Sequence, residues 1–336
     1  MTLNGKKGTI FSGMRPTGKL HLGNYMGALE NWVTLQNDYN CIYCAVDIHA
    51  LTTLDGATDV AEIKPNIHDM ILDWLAAGID PEESLVFVQS SVPEVMTLHT
   101  LLSMVTPLGW LLRVPTFKEK VRQMDETEES VNYGLVGYPV LQTADIILYK
   151  ADTVPVGKDQ VPHLELAREI VRRFNNHYGE TFPEPQAKLT EDPLIVGLDG
   201  QNKMSKSLDN HLELADSPEE TAKRVATAFT DPQRLRRADP GRPEVCNVYS
   251  LHKTFSAAGD ITTIHEECTT AARGCVDCKR HLAASINSYL ESFRERRREF
   301  ETRPSYVQDV LEDGAKKAQA IAQKTIQEVY EKMGLA

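Results

Sequence analysis

The sequence predicts an α/β unit built on a parallel sheet, followed by a nearly all-helical unit. Two textures carry that prediction. Up to about residue 208, short β-branched runs alternate with helical patterns, the signature of a parallel sheet with crossover helices. Beyond about residue 210 the strand signals stop and the remaining segments keep helical spacing. The chain therefore divides into residues 1–210 and 211–336, and with no low-complexity linker between them the two units should pack together. At 336 residues, with 41% hydrophobic and 25% charged content, it can bury a sizeable core in both.

The elements follow in order. GTIFSGM reads as the first strand and feeds a helix, HLGNYMGALENWVTLQ, that should start near His21. CIYCAVDIHALT is the second strand and its turn, VAEIKPNIHDMILDWLAAG the next helix, SLVFVQS the third strand and EVMTLHTLLSMV its helix. In CIYCAV the alternation of a strand puts Cys41 and Cys44 on opposite faces, so this pair reads as core. In the second unit SPEETAKRVATAF, CKRHLAASINSYLESFRERRREFE and SYVQDVLEDGAKKAQAIAQKTIQEVYEKM are helices.

Charge and composition exclude some functions. The formal net charge of −12 argues against indiscriminate nucleic-acid binding, which needs many cations facing phosphates. A local basic face remains open, from Arg234, Arg236, Arg237 and Arg242, then Lys279 and Arg280, then the run at 294–298; each taken alone reads as solvated surface. No apolar run approaches the roughly 20 residues that span a bilayer, and the N-terminus lacks an apolar signal core. A cytoplasmic protein without membrane contact is expected, and there paired thiols more often hold metals than form disulfides.

Chemistry first shows where the first strand turns into the first helix, at SGMRPTGKLHLGNYMG. Gly13, Gly18 and Gly23 permit tight turning, and a helix opening there aims free N–H groups at an anion such as phosphate. A second loop, GLDGQNKMSKSLDN, carries Lys203 and Lys206, mobile ammonium groups able to follow charge developing on a polyphosphate. Four of the six cysteines gather late, Cys246, Cys268, Cys275 and Cys278, as C-x21-C-x6-C-x2-C. Four thiolates suit either zinc or a cubane iron–sulfur cluster, and spacing leaves both open.

HLGN at the first helix followed by KMSKS resembles the paired signature motifs of class I aminoacyl-tRNA synthetases, with Asn24 in the last position of the first, as in the tryptophanyl branch. IFSGMRPTG, VDIHALT, FVQSSVPE, FKEK, YPVLQTADIILYKAD and VPVGKDQVPHLELAREI extend the resemblance over nearly the whole chain, to bacterial tryptophanyl-tRNA synthetases. It implies a Rossmann-like catalytic domain with a connecting insertion, then a helical anticodon-recognition domain. ATP, with magnesium, would then meet Arg15, Pro16, Thr17, Gly23, Asn24, Gly157, Lys158, Asp159, the backbone near Ile195, and Lys203, Met204, Ser205, Lys206 and Ser207. L-Tryptophan would meet Phe11, Gly13, His49, Tyr138, Gln142, Asp145, Val154, Val156 and Gln160. His21, Asn24, Lys203 and Lys206 would carry catalysis, tRNA(Trp) would accept the product, and the chain would act as a homodimer. The late cysteines resemble a subset of the family that holds a [4Fe-4S] cluster there.

Two departures stand out. Gln142 replaces a methionine common in bacterial members, which leaves open whether Gln142 or Asp145 reads the indole N–H, and Lys158 replaces a usual glutamate. Rivals are a noncatalytic RNA-binding or redox-sensing relative and a tyrosyl-tRNA synthetase. The two signature motifs disfavour the former. Phe11 disfavours the latter, because a phenol-binding pocket normally takes a tyrosine there.

Overall fold

A computed structural model describes residues 5–54, 56, 60–123, 127, 130–189 and 195–335, apart from the side chains of residues 116, 120, 123 and 159. Five parallel strands form one sheet in the order β3-β2-β1-β4-β5: Thr9–Met14, Asn40–Ala45, Ser84–Val88, Thr153–Val156 and Gln186–Leu189 for β1 to β5. The chain runs outward from β1 through β2 to β3, then returns to the other side of β1 as β4. That reversal leaves a crevice at the carboxyl ends of β1 and β4, where open α/β sheets bind ligands.

Helices cover both faces. Phe11, Ile42 and Cys44 face a core shared with the helix Tyr133–Leu148, whereas Ile10, Cys41 and Tyr43 face one shared with Ile63–Ala77. The two inner cysteines thus lie on opposite faces, both buried, as the strand alternation requires.

Beyond residue 210 the named elements are helical, including Pro218–Ala226, Asn247–Phe255, Ala258–Thr269, Cys275–Glu301 and Tyr306–Met333. They do not stand apart from the sheet. Leu282, Ile286, Leu290 and Phe293 pack into the same core as Ile10 and Trp74, and Ala318, Ala322 and Val329 into the core of the other face. Gly314 brings the last helix onto β3 so closely that a Cβ there would overlap the Val86 carbonyl oxygen.

Two expectations are corrected. The first helix starts at Leu22 and is interrupted by a π turn over Tyr25–Leu29 before resuming as Glu30–Leu35; hydropathy spacing cannot register one extra residue in a turn. The basic run at 294–298 is not simply solvated surface. Arg294 and Arg297 are buried, and Arg296 Nε donates to the Ala76 carbonyl oxygen at 2.6 Å. Arg294 donates to the Leu214 carbonyl and to Thr221 Oγ1, while Arg297 binds the Asp69 and Asp73 carboxylates of the helix Ile63–Ala77. Arg296 and Arg297 tie the second unit to the first, while Arg294 braces the second internally.

Candidate active site

The crevice at the strand ends opens into a cavity of about 460 Å³. All nine residues expected to meet the amino acid line it, and so do Arg15 and Gly157. β1 supplies Phe11 and Gly13, the turn after β2 supplies His49, β4 supplies Val154 and Val156, and the helix Tyr133–Leu148 supplies Tyr138, Gln142 and Asp145. The helix places these last three together because their spacing of four and three keeps them on one face.

The wall has an apolar part and a polar part. Phe11 is stacked on Tyr149 with ring centroids 5.7 Å apart, giving a flat surface. Opposite in character is Asp145, buried to 2% exposure, whose Oδ2 lies 2.9 Å from His49 Nε2. Gln89, the first residue after β3, donates Nε2 to Oδ1 and Oδ2 at 2.9 and 2.8 Å. Sequence reading quoted Gln89 within FVQSSVPE but gave it no role; only the fold brings it 56 residues along the chain to Asp145. Tyr138 Oη and His163 Nε2 are 2.5 Å apart, and His163 Nδ1 lies 3.2 Å from Gln160 Oε1. Gln142 lines the cavity without a hydrogen bond to any described residue, so its amide can take one from a ligand.

The two signature segments are stitched together. The Leu22 N–H donates to the Leu212 carbonyl at 2.9 Å and the Leu214 N–H to the Leu20 carbonyl at 3.0 Å, which holds the stretch after KMSKS against HLGN. Lys206 Nζ donates to the Thr17 carbonyl at 3.2 Å. It crosses Gly18, whose φ of +107° and open side would be strained and crowded by any side chain. Met204 is buried and its N–H donates to the Ile195 carbonyl at 3.0 Å, so the loop hangs from a core anchor. Asn210 accepts the Ser205 N–H at 2.7 Å and donates to Asp199, which also collects the Gln201 and Asn202 N–H groups. Ser205 and Ser207 hydroxyls are 2.9 Å apart, and Lys203 is exposed.

Electrostatics separate the groups on this loop face. Burial, with Lys206, His211 and Lys203 nearby, holds the His21 imidazole down to about 4, so it is neutral at neutral pH. Its Nδ1 is buried with no partner among the described residues, a polar atom that a ligand could satisfy. Burial also lowers the Lys206 ammonium, while Glu213, Asp69 and Asp73 pull it back up. Asn24 Oδ1 accepts the His21 N–H at 3.1 Å. Pro16 is buried and Gly23 faces the His21 ring and Met204. Gly157 opens a 3-10 turn over Lys158–Gln160; Lys158 is exposed, and the Asp159 side chain lies outside the described part.

The four late cysteines sit at helix ends. Cys246 precedes Asn247–Phe255, Cys268 lies near the end of Ala258–Thr269, and Cys275 and Cys278 share the first turn of Cys275–Glu301. Burial pushes the Cys278 thiol up to about 12, with Cys246, Cys268 and Cys275 adding to the rise. Among the described residues no group of three or more His, Cys, Asp or Glu side chains is arranged to hold a metal ion. Asn247, next to Cys246, donates Nδ2 to the Gly197 carbonyl at 2.8 Å and so braces the hairpin that carries KMSKS. Of the other cations proposed for a basic face, Arg242 is paired to Asp231 at 2.6 Å, Arg280 to Asp277 at 3.0 Å, and Lys279 donates to the Ala226 carbonyl at 2.8 Å.

Comparison with known proteins places this geometry. Residues 3–291 match the family described as tRNA synthetases class I (W and Y). A tryptophan–tRNA ligase of Thermotoga maritima is 48% identical, covering 97% of this chain and 99% of that protein. One from Aquifex aeolicus is 41% identical over 97% of this chain and 99% of its own length. The crystal structure of tryptophanyl-tRNA synthetase from Campylobacter jejuni complexed with ADP and tryptophan superposes with a TM-score of 0.88 at 35% identity, covering 97% of this chain and 100% of that one.

Proposed function

The chain belongs to the class I tRNA synthetases of the tryptophan and tyrosine group, and from that premise we propose how its cavity and its KMSKS loop divide the work of charging tRNA. The protein is an aminoacyl-tRNA synthetase that activates L-tryptophan with ATP and transfers it to tRNA(Trp). The observation that carries the substrate side is the cavity wall, where flat Phe11 and buried Asp145 offer an apolar slot with one acceptor at its end. An indole needs both. The full-length tryptophan–tRNA ligase relatives count against both the noncatalytic and the tyrosyl rivals.

No protein nucleophile is required. The tryptophan carboxylate attacks the α-phosphorus of ATP, an oxygen–phosphorus bond forms as the bond to the pyrophosphate oxygen breaks, and the adenylate is then captured by the terminal ribose of tRNA. Alignment and charge stabilisation supply the rate. Phe11, Gly13, Val154 and Val156 shape the slot, Asp145 and Gln142 face the indole, and Tyr138, His49 and Gln160 complete the wall. Arg15, Pro16, Thr17, Gly23, Gly157, Lys158, Asp159 and the backbone at Ile195 form the ATP side. His21 and Asn24 hold phosphates, His21 as a neutral hydrogen-bonding group. Lys203 and Lys206, with Met204, Ser205 and Ser207 around them, meet the leaving pyrophosphate, for which magnesium supplies additional positive charge.

Tryptophan-dependent exchange of pyrophosphate into ATP tests this reading, and the purified chain should support it. No exchange above a protein-free control, with RNA binding retained, would favour a binding module; stronger exchange with tyrosine would reassign the substrate.

The late cysteines are the support for a [4Fe-4S] cluster in the helical part, which would be the anticodon-reading domain of a two-domain chain divided near residue 210. Burial, with the neighbouring thiols adding to it, raises the cost of ionising Cys268 and Cys278, a cost that a bound metal centre would relieve. Zinc held by the same four thiolates is the alternative reading. Protein purified without oxygen should be brown, with about four iron and four sulfide per chain, and Cys275→Ser should lose the colour. Colourless protein with one zinc would reject the cluster. A homodimer in the cytoplasm is the assembly and location that the family resemblance implies; no helix among the described residues is long and apolar enough to cross a membrane.

A further inference from the structure

We propose that Gln89 is a positioning residue that sets indole selectivity by locking Asp145 as a hydrogen-bond acceptor aimed into the cavity. This inference rests on the tryptophan reading above. Three observations carry it. Gln89 is buried to 1% exposure, so its amide has no water to bond. Its Oε1 accepts the N–H groups of Ile48 at 3.0 Å and His49 at 3.2 Å. An amide with its oxygen so committed cannot flip, and its Nε2 must therefore be the end that meets Asp145.

Nε2 reaches both carboxylate oxygens, and His49 Nε2 reaches Oδ2 as well. The Gln89 amide hydrogens thus hold the Asp145 side chain in one orientation, with both of its oxygens used as acceptors. Among the described residues His49 and Gln89 together occupy Oδ2, whereas Oδ1 meets Gln89 alone. Oδ1 is thus left with acceptor capacity, and Asp145 lines the cavity. A purely accepting group at the end of an apolar slot selects a flat side chain that presents an N–H donor. A side chain of the same shape without the donor leaves that carboxylate unpaired.

Gln89 itself does not line the cavity, so its influence passes through Asp145 and through the turn that carries His49. The turn has an independent brace. Asp47 accepts the Ser90 hydroxyl at 2.5 Å and the Ser90 N–H at 3.0 Å. Loosening the loop can therefore be separated from loosening Asp145.

The test uses the full-length protein and a pair of substrates, tryptophan and benzothienylalanine, in which sulfur replaces the indole N–H. The readout is the ratio of their kcat/KM values in pyrophosphate exchange. Wild-type protein should prefer tryptophan by about 100-fold or more, the size expected when a buried polar group loses its partner. Gln89→Met keeps the side-chain length and removes the donor. It should lower kcat/KM for tryptophan by about 10-fold or more, chiefly through KM, while the analogue changes little, so the ratio collapses. Ser90→Ala should leave the ratio unchanged.

Equal losses for both substrates in Gln89→Met would assign Gln89 a merely structural role and overturn the proposal. So would an unchanged ratio. If Gln89→Met does not fold, the wild-type ratio still decides, since an analogue used as well as tryptophan shows that no acceptor is aimed at the ring. Absence of any tryptophan-dependent exchange would instead defeat the tryptophan reading, which keeps the two failures apart.

Discussion

Lys206→Ala lowers the rate of tryptophan activation by about 100-fold or more, while tryptophan affinity changes little. Lys206 is half-buried on the KMSKS loop and, among the described residues, its ammonium donates to the Thr17 carbonyl, a neutral acceptor 3.2 Å away. Burial lowers its ammonium, so part of its hydration is already lost before a phosphate arrives. Negative charge developing on the pyrophosphate would be a stronger partner than that carbonyl, and the gain appears only as the charge develops. Deleting the ammonium therefore removes an interaction belonging to the transition state. Single-turnover rates of adenylate formation and equilibrium binding of tryptophan separate the two quantities. A parallel loss in both would place Lys206 in ground-state binding instead.

Arg297→Met destabilises the protein by about 3–5 kcal/mol at neutral pH, the usual cost of leaving a buried charge without its partner. Arg297 is 7% exposed and reaches from the helix Cys275–Glu301 to Asp69 and Asp73 in the helix under the sheet. Even with this partner, burial pushes the Asp73 carboxyl up to about 7. Without it the carboxyl must rise further. A folded-state value above the unfolded one means that the native protein holds the proton more tightly, so stability falls as pH rises from the unfolded carboxylate range, about 4, through the folded value.

The loss in Arg297→Met is consequently largest at neutral and alkaline pH and shrinks towards pH 4, as urea unfolding midpoints across that range would record. Adding Asp69→Leu and Asp73→Leu to the same chain should restore much of the stability, because an apolar replacement has no charge to desolvate. An Arg297→Met midpoint equal to wild type at pH 7 would show that this cluster does not hold the two parts together. The same carboxylates act on Lys206, so activation rate should be measured beside stability in each variant.

The sequence by itself determined the parallel sheet, the helical second half and most of the cavity wall. Alternation within GTIFSGM and CIYCAV is fixed by a two-residue period and can be read from a few neighbouring residues, whereas Tyr138, Gln142 and Asp145 were legible only through the resemblance of YPVLQTADIILYKAD to its family. HLGN and KMSKS were legible as a pair because each is a short contiguous segment that resembles a signature motif of the family. The tertiary structure alone decided the rest. Gln89 and Asp145 meet across 56 residues, and Arg297 and Asp73 across 224, distances over which no period in the sequence survives. A run such as RERRR looks the same whether water or carboxylates surround it; docking against Ile63–Ala77 is what turned Arg297 inward. Gly314 gave no sign of contact until the last helix lay on β3, since a missing Cβ matters only where another backbone needs its space.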